Sequence, residues 1–182
     1  MLEGKEPSVI IQTKTMFKEI KPTEITNYKN AVDLFGQGAV TMVRKGETAN
    51  PMTIAWGSLG VLWRVPCLSV YVHKTRYSKQ LFDQADRFAV CFFGKEHASQ
   101  LSYFGSASGR NEDKVLKSRL TLKEEDGYFL FEEAELVVFC EKMGQTDFDI
   151  DKIKPKPILD WYRKDGVHTI YCGKIIKAFR KE

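Results

Sequence analysis

Leu120-Thr121-Leu122-Lys123-Glu124-Glu125-Asp126-Gly127-Tyr128-Phe129-Leu130-Phe131 reads as two short strands folded on a turn. Leu120 to Leu122 and Tyr128 to Phe131 flank Asp126-Gly127, and Asp-Gly between apolar runs is a strong hairpin signal, because the favoured two-residue turn needs positive φ at both positions. Working outward, similar runs recur at Ala39 to Val43, Cys67 to Val72, Phe88 to Phe93, Leu136 to Cys140 and Thr169 to Ile176. Their length and their β-branched and aromatic content argue strands over helices. Several short strands at this spacing predict a barrel or sandwich. Helical stretches are few. Ser78 to Ala85 carries Leu81 and Phe82, and Glu96 to Phe104 sets Ala98, Leu101 and Phe104 on one side. Neither alternates with strands as a doubly wound sheet requires. The GxGxxG fingerprint and the P-loop are both missing, which disfavours a Rossmann reading and a nucleotide-hydrolysing one.

The chain of 182 residues, 43% hydrophobic and 29% charged, predicts one domain over residues 1–182 with a sizeable core. Its formal net charge of +4 is spread thinly. The densest basic stretch, Lys152 to Lys156, is interrupted by Ile153 and Pro155, so it reads as a solvated surface and not as a nucleic-acid stripe. A positive balance does favour a phosphorylated ligand. Cys67, Cys91, Cys140 and Cys172 lack the short spacing of a zinc site or redox pair and sit among apolar neighbours. They predict small buried hydrophobes in a reducing compartment, with no metal. No run is long enough to span a bilayer, and the opening Met1 to Pro7 has acidic residues where a signal peptide is basic and then apolar. The expected location is the cytoplasm, without a membrane partner.

Three segments carry candidate chemistry. In Asn50-Pro51-Met52-Thr53-Ile54-Ala55-Trp56-Gly57, Asn50 and Thr53 offer hydrogen bonds beside the aromatic face of Trp56, the two kinds of contact that a flat, polar-edged heterocycle needs. The plain alternative is an edge strand with a packed Trp. In His73-Lys74-Thr75-Arg76-Tyr77-Ser78, a strand gives way to a helix whose N-terminus exposes N–H groups. Thr75 or Ser78 can cap it, and Arg76 adds a donor fork suited to phosphate. A capped helix with a solvated Arg fits equally well. In Ser106-Ala107-Ser108-Gly109-Arg110-Asn111-Glu112-Asp113-Lys114, a loop of small residues can bring N–H groups, Arg110 and Lys114 to an anion. Alternatively Asp113 caps a helix and Lys114 points to water. His73, His97 and His168 are far apart in sequence, and no nucleophile–base pair or carboxylate pair is readable from spacing. That pattern fits a protein whose cofactor performs the reaction.

Taken together, NPMTIAWG, HKTRYS and SGRNEDK, in that order and separation, resemble the flavin reductase-like family of FMN-binding split barrels, in particular its flavoredoxin branch. The Trp63-to-Pro66 turn, FAVCFF and HTIYCGKI extend the likeness from about Ala31 to Ile176. The resemblance implies a mainly β protein with a few short helices, a split β-barrel, and a homodimer with FMN at or near the subunit interface. It implies that Asn50, Met52, Thr53, Ile54, Ala55 and Trp56 line the isoalloxazine and ribityl part. Thr75, Arg76, Tyr77 and Ser78 hold the ribityl chain and phosphate, and Ser108, Gly109, Arg110 and Lys114 complete that pocket. His168 stands where some flavin reductases place a histidine beside the nicotinamide, and Asn111 replaces an expected acidic residue. The implied activity is NAD(P)H-dependent flavin reduction, with NADH or NADPH donating hydride to FMN. Two alternatives stay open: a flavoredoxin-type carrier fed by a redox protein partner, without a nicotinamide site, and a flavin-free β-barrel binding module. A pyridoxamine-phosphate oxidase-like activity shares the barrel but matches the three motifs less well.

Overall fold

The computed structural model describes residues 17–182, so the stretch from Met1 to Pro7 lies outside the described residues. The described residues open with β1 (Phe17–Ile20), α1 (Ile25–Tyr28) and α2 (Ala31–Gly36). Four strands follow: β2 (Ala39–Lys45), β3 (Thr48–Ile54), β4 (Gly57–Leu62) and β5 (Val65–His73). Next come α3 (Tyr77–Gln84), β6 (Arg87–Phe92), α4 (Ala98–Ser106) and α5 (Lys114–Ser118). The chain closes with β7 (Leu122–Glu125), β8 (Tyr128–Phe131), β9 (Leu136–Asp147), α6 (Lys156–Asp165) and β10 (His168–Lys181).

The main sheet runs β3-β2-β6-β9-β10-β5-β4, with β1 added to the far end of β10, and its paired strands are antiparallel. Its two outermost strands, β3 and β4, are consecutive in the chain and joined only by Ala55 and Trp56. So short a link cannot reach across an open sheet, because the backbone spans at most about 3.6 Å per residue. The sheet therefore curls until its edges meet, which makes it a split barrel with Ala55 and Trp56 at the seam. Pro51 has no N–H to give to a ladder, and it lies on the edge strand β3, which pairs only with β2.

The uninterrupted apolar runs have a direct cause. In β6, Phe88, Val90 and Phe92 face one core cluster, while Ala89 and Cys91 face another. In β9, Leu136, Val138 and Cys140 face the first, while Val137 and Phe139 face the second. Successive side chains point to opposite faces of a strand, so a strand covered on both faces needs apolar residues throughout. The first cluster fills the barrel with Leu68, Val70, Val72 and Tyr171. The second is covered from outside by α4 through Phe104 and by β8 through Phe129 and Phe131.

The Asp126-Gly127 turn closes the hairpin, with φ of 52° and 78° and Glu125 opposite Tyr128. β7 and β8 form a separate two-stranded sheet that caps the second core outside the barrel wall, and β7 starts at Leu122 and not at Leu120. Cys67, Cys91 and Cys140 are buried, whereas Cys172 is only half-buried beside Ser69.

Candidate functional site

The three sequence segments converge on one point. Asn50, buried on β3, donates from Nδ2 to Ser78 Oγ at 2.7 Å, tying the strand to the first turn of α3. A methyl group built on Gly109 would fall on the Asn50 carboxamide oxygen and lie against the Tyr77 ring, so the third segment approaches this closely only because residue 109 has no side chain. Lys45 Nζ donates to the Gly109 carbonyl at 2.6 Å and sits over Tyr77, and the Arg110 guanidinium covers the same ring at 5.3 Å.

The helix start differs from the expectation. Arg76 is the N-cap of α3 and no side chain caps it. Thr75 instead bonds His73 Nδ1 at 2.8 Å, while Ser78 Oγ accepts from Asn50. The first N–H groups of α3 are thus left without a side-chain partner at the positive end of the helix dipole. Beside them lies a cavity of about 420 Å3, lined by Asn50, Ser78, Ser108, Arg110 and Lys114 among others. Asp113 does cap α5, accepting from Leu116 N at 3.0 Å. Lys114, however, does not point to water. It is 4% exposed and donates to the carbonyls of Phe104 at 2.8 Å and Ala107 at 3.2 Å, where α4 ends. Burial, aided by the nearby Arg76 charge, lowers its ammonium to about 8.

A second cavity of about 650 Å3 adjoins the first, sharing Met52, Thr75 and Arg76 with it. Thr53, Ile54, Ala55 and Trp56 form one wall, at the seam of the barrel. The Thr53 hydroxyl is already engaged, donating to the Leu101 carbonyl at 2.6 Å. Asn50 lines the smaller cavity and is not beside Trp56, because residues two or four apart on a strand share a face but six residues span some 20 Å. Opposite stand His168 and Trp161. The His168 ring lies 4.4 Å from Trp56 and bonds Tyr162 Oη through Nδ1 at 3.1 Å. Burial, then the neighbouring His73 and Arg76, lowers His168 to about 4, so its imidazole is neutral near pH 7. His73 Nε2 donates to the Gly166 carbonyl at 2.8 Å, and in the neutral ring Nδ1 then accepts from Thr75.

Trp161, which none of the three sequence segments contains, completes the wall. It stacks on His73 at 5.7 Å and meets Trp56 edge-on at 5.9 Å. Pro155 and Pro157 at the start of α6 and Gly166 at its end are helix signals that flank this residue. Among the described residues, no group of three or more His, Cys, Asp or Glu can hold a metal ion, and no helix is long and apolar enough to cross a membrane.

A family model, the flavin reductase like domain, matches residues 36–182. The chain belongs to this family. Its fold is also that of solved structures at low identity. An FMN-binding protein from Thermus thermophilus with bound p-hydroxybenzaldehyde is 22% identical, with 80% of this chain and 71% of that one covered at a TM-score of 0.63. A flavoredoxin from Methanosarcina acetivorans is 21% identical, over 80% and 68% of the chains, also at 0.63. The NADH:FAD oxidoreductase of Streptomyces globisporus C-1027 is 20% identical, over 80% and 77%, at 0.60. No protein of curated function matches the sequence.

Proposed function

We propose that this member of the flavin reductase-like family binds FMN across the two adjoining cavities and passes reducing equivalents from NADH or NADPH through it. The observation that carries the reading is the convergence of Asn50, Ser78 and Gly109 beside the uncapped start of α3, next to an aromatic-walled cavity. The fit is chemical as well as spatial. A phosphate calls for N–H groups, a hydroxyl and an Arg fork, and Ser108, Arg110 and the α3 terminus line the smaller cavity with these. A flat tricyclic ring calls for apolar and aromatic walls with a few polar edges, and Met52, Trp56, His168 and Trp161 surround the larger cavity.

When bound, FMN supplies hydride acceptance and onward electron transfer. The chain's part is to bind, orient and exclude water. Arg76 is positioned between the two cavities, one of its N–H groups held by the Gly105 carbonyl at 3.1 Å. His168, neutral and steadied by Tyr162, presents a hydrogen-bonding edge without a fixed charge, which suits a neutral nicotinamide ring. The reading includes a homodimer, with Val32, Val61 and Trp63, each at least 70% exposed, as apolar residues a second protomer would cover. It also places the protein in the cytoplasm, where its free cysteines are stable.

The likeness to a flavoredoxin gives a second reading, an electron carrier reduced by a protein partner. Anaerobic addition of NADH or NADPH to FMN-loaded protein separates the two. Bleaching of the flavin band by either nucleotide alone is the expected result. A flavin that stays oxidised until a redox protein is added would replace the reductase reading with the carrier.

A further inference from the structure

Lys114 and Arg76 are both candidate phosphate ligands by sequence, but each already serves the end of one helix. Lys114 Nζ donates to the Phe104 and Ala107 carbonyls, and Arg76 Nη1 donates to Gly105 between them. The last turn of α4 thus ends in three carbonyl oxygens, at the negative end of the helix dipole, beside the cavity we assign to the phosphate, which Phe104 and Ala107 line. Such a wall repels an anion unless its sign is reversed.

We propose, building on the FMN reading, that Lys114 is the positioning residue that lets this cavity accept a phosphate: its ammonium offsets the α4 carbonyls, and its loss of a proton withdraws that tolerance. The charged groups around it are few. Arg76 faces it from the entry to α3, and Lys45 shares a small neighbouring cleft from β2. Glu112 and Asp113 lie on its own loop, where Glu112 is also bonded to Lys117 and Asp113 is engaged as the α5 cap. Arg110 lines the same cavity, and Tyr103 of α4 lies beside Glu112. Of the cations here, Arg76 and Arg110 are guanidinium groups. Lys114 differs because it is the buried one, and burial brings its ammonium to about 8.

The sign follows. As pH rises through about 8, the free protein loses the Lys114 charge, while a bound phosphate holds the proton on. Affinity for the phosphorylated ligand therefore falls with pH above that point. The phosphate itself is fully ionised there, since its second pKa is about 6. Riboflavin, which lacks the phosphate, reports anything that happens at the ring.

The test is a titration of FMN and of riboflavin at about pH 7 and about pH 9.5, in parent protein, Lys114→Arg and Lys114→Met. In the parent, the preference for FMN over riboflavin should drop about tenfold or more between the two pH values, the scale of one charge-assisted hydrogen bond. Lys114→Arg, charged at both, should show no pH dependence whatever its absolute affinity, and Lys114→Met should show a low, flat preference. A role in folding alone would weaken both ligands together and leave the ratio unmoved. A parent ratio that does not change with pH, or a Met variant with the parent's ratio, overturns the proposal. If FMN fails to bind the parent at either pH, the flavin reading falls and this inference with it.

Discussion

The contacts that hold His168 also tie the stability of the fold to pH. It is 8% exposed, packed against Trp56 and bonded to Tyr162, and its folded value of about 4 lies below the ordinary 6.5. The unfolded chain therefore binds a proton between those values while the folded chain does not. Stability contributed by the neutral ring is complete above about pH 6.5 and is lost as pH falls towards about 4. We expect denaturant unfolding of the ligand-free protein to show this as a difference from His168→Gln that approaches about 3 kcal/mol near pH 4, since a tenfold change in proton affinity corresponds to about 1.36 kcal/mol. Parallel pH profiles for parent and variant would mean that His168 takes up its proton in the folded state. Lys114 shows the limit of residue-level reading. Its place in SGRNEDK marks it as a cation near an anion, but its burial depends on the α4 carbonyls, and nothing in the local sequence reports that long-range contact.

At the scale of elements, the β4–β5 hairpin turns on Trp63 and Arg64, with φ of 49° and 66°. Neither residue suits that region, where a side chain costs about 1–2 kcal/mol and Asn-Gly is favoured. The single substitution Arg64→Gly, which leaves Trp63 on the apolar surface proposed for a second protomer, should raise the stability of the protein by about 1 kcal/mol in thermal unfolding. A lower melting temperature would show that the Arg64 side chain holds the hairpin arm in place. The same scale shows why some elements are legible in the sequence. FAVCFF and LVVFC announce strands because both faces of β6 and β9 are covered. The distal half of β9, from Glu141 to Asp147, carries no such signal because exposure returns polar residues to it. α6 is obscured because its Lys-rich approach masks the Pro and Gly signals at its ends, and Trp161 is hidden with it. The Asp126-Gly127 hairpin is legible as a hairpin, but its place outside the barrel depends on packing partners that its own residues do not name.

For the whole molecule, the curl of the sheet brings Trp56 to the seam, the start of α3 to one side of it and α6 to the other, and so makes one continuous site from residues more than a hundred positions apart. Residues of the three motifs line the two cavities, and the closure of the barrel sets their arrangement. The net charge of +4 would favour the proposed phosphorylated ligand at long range. Val61 and Trp63 on the hairpin arm and Val32 on α2 are exposed apolar residues that the proposed dimer would cover. Sedimentation velocity of the protein mixed with about micromolar FMN, recorded in the flavin's visible band, tests binding and assembly together. The account predicts that the flavin colour travels with protein at the mass of a dimer. Colour that travels with a monomer would contradict the dimer, and colour that stays with the slow free ligand would contradict the central claim that this fold holds FMN.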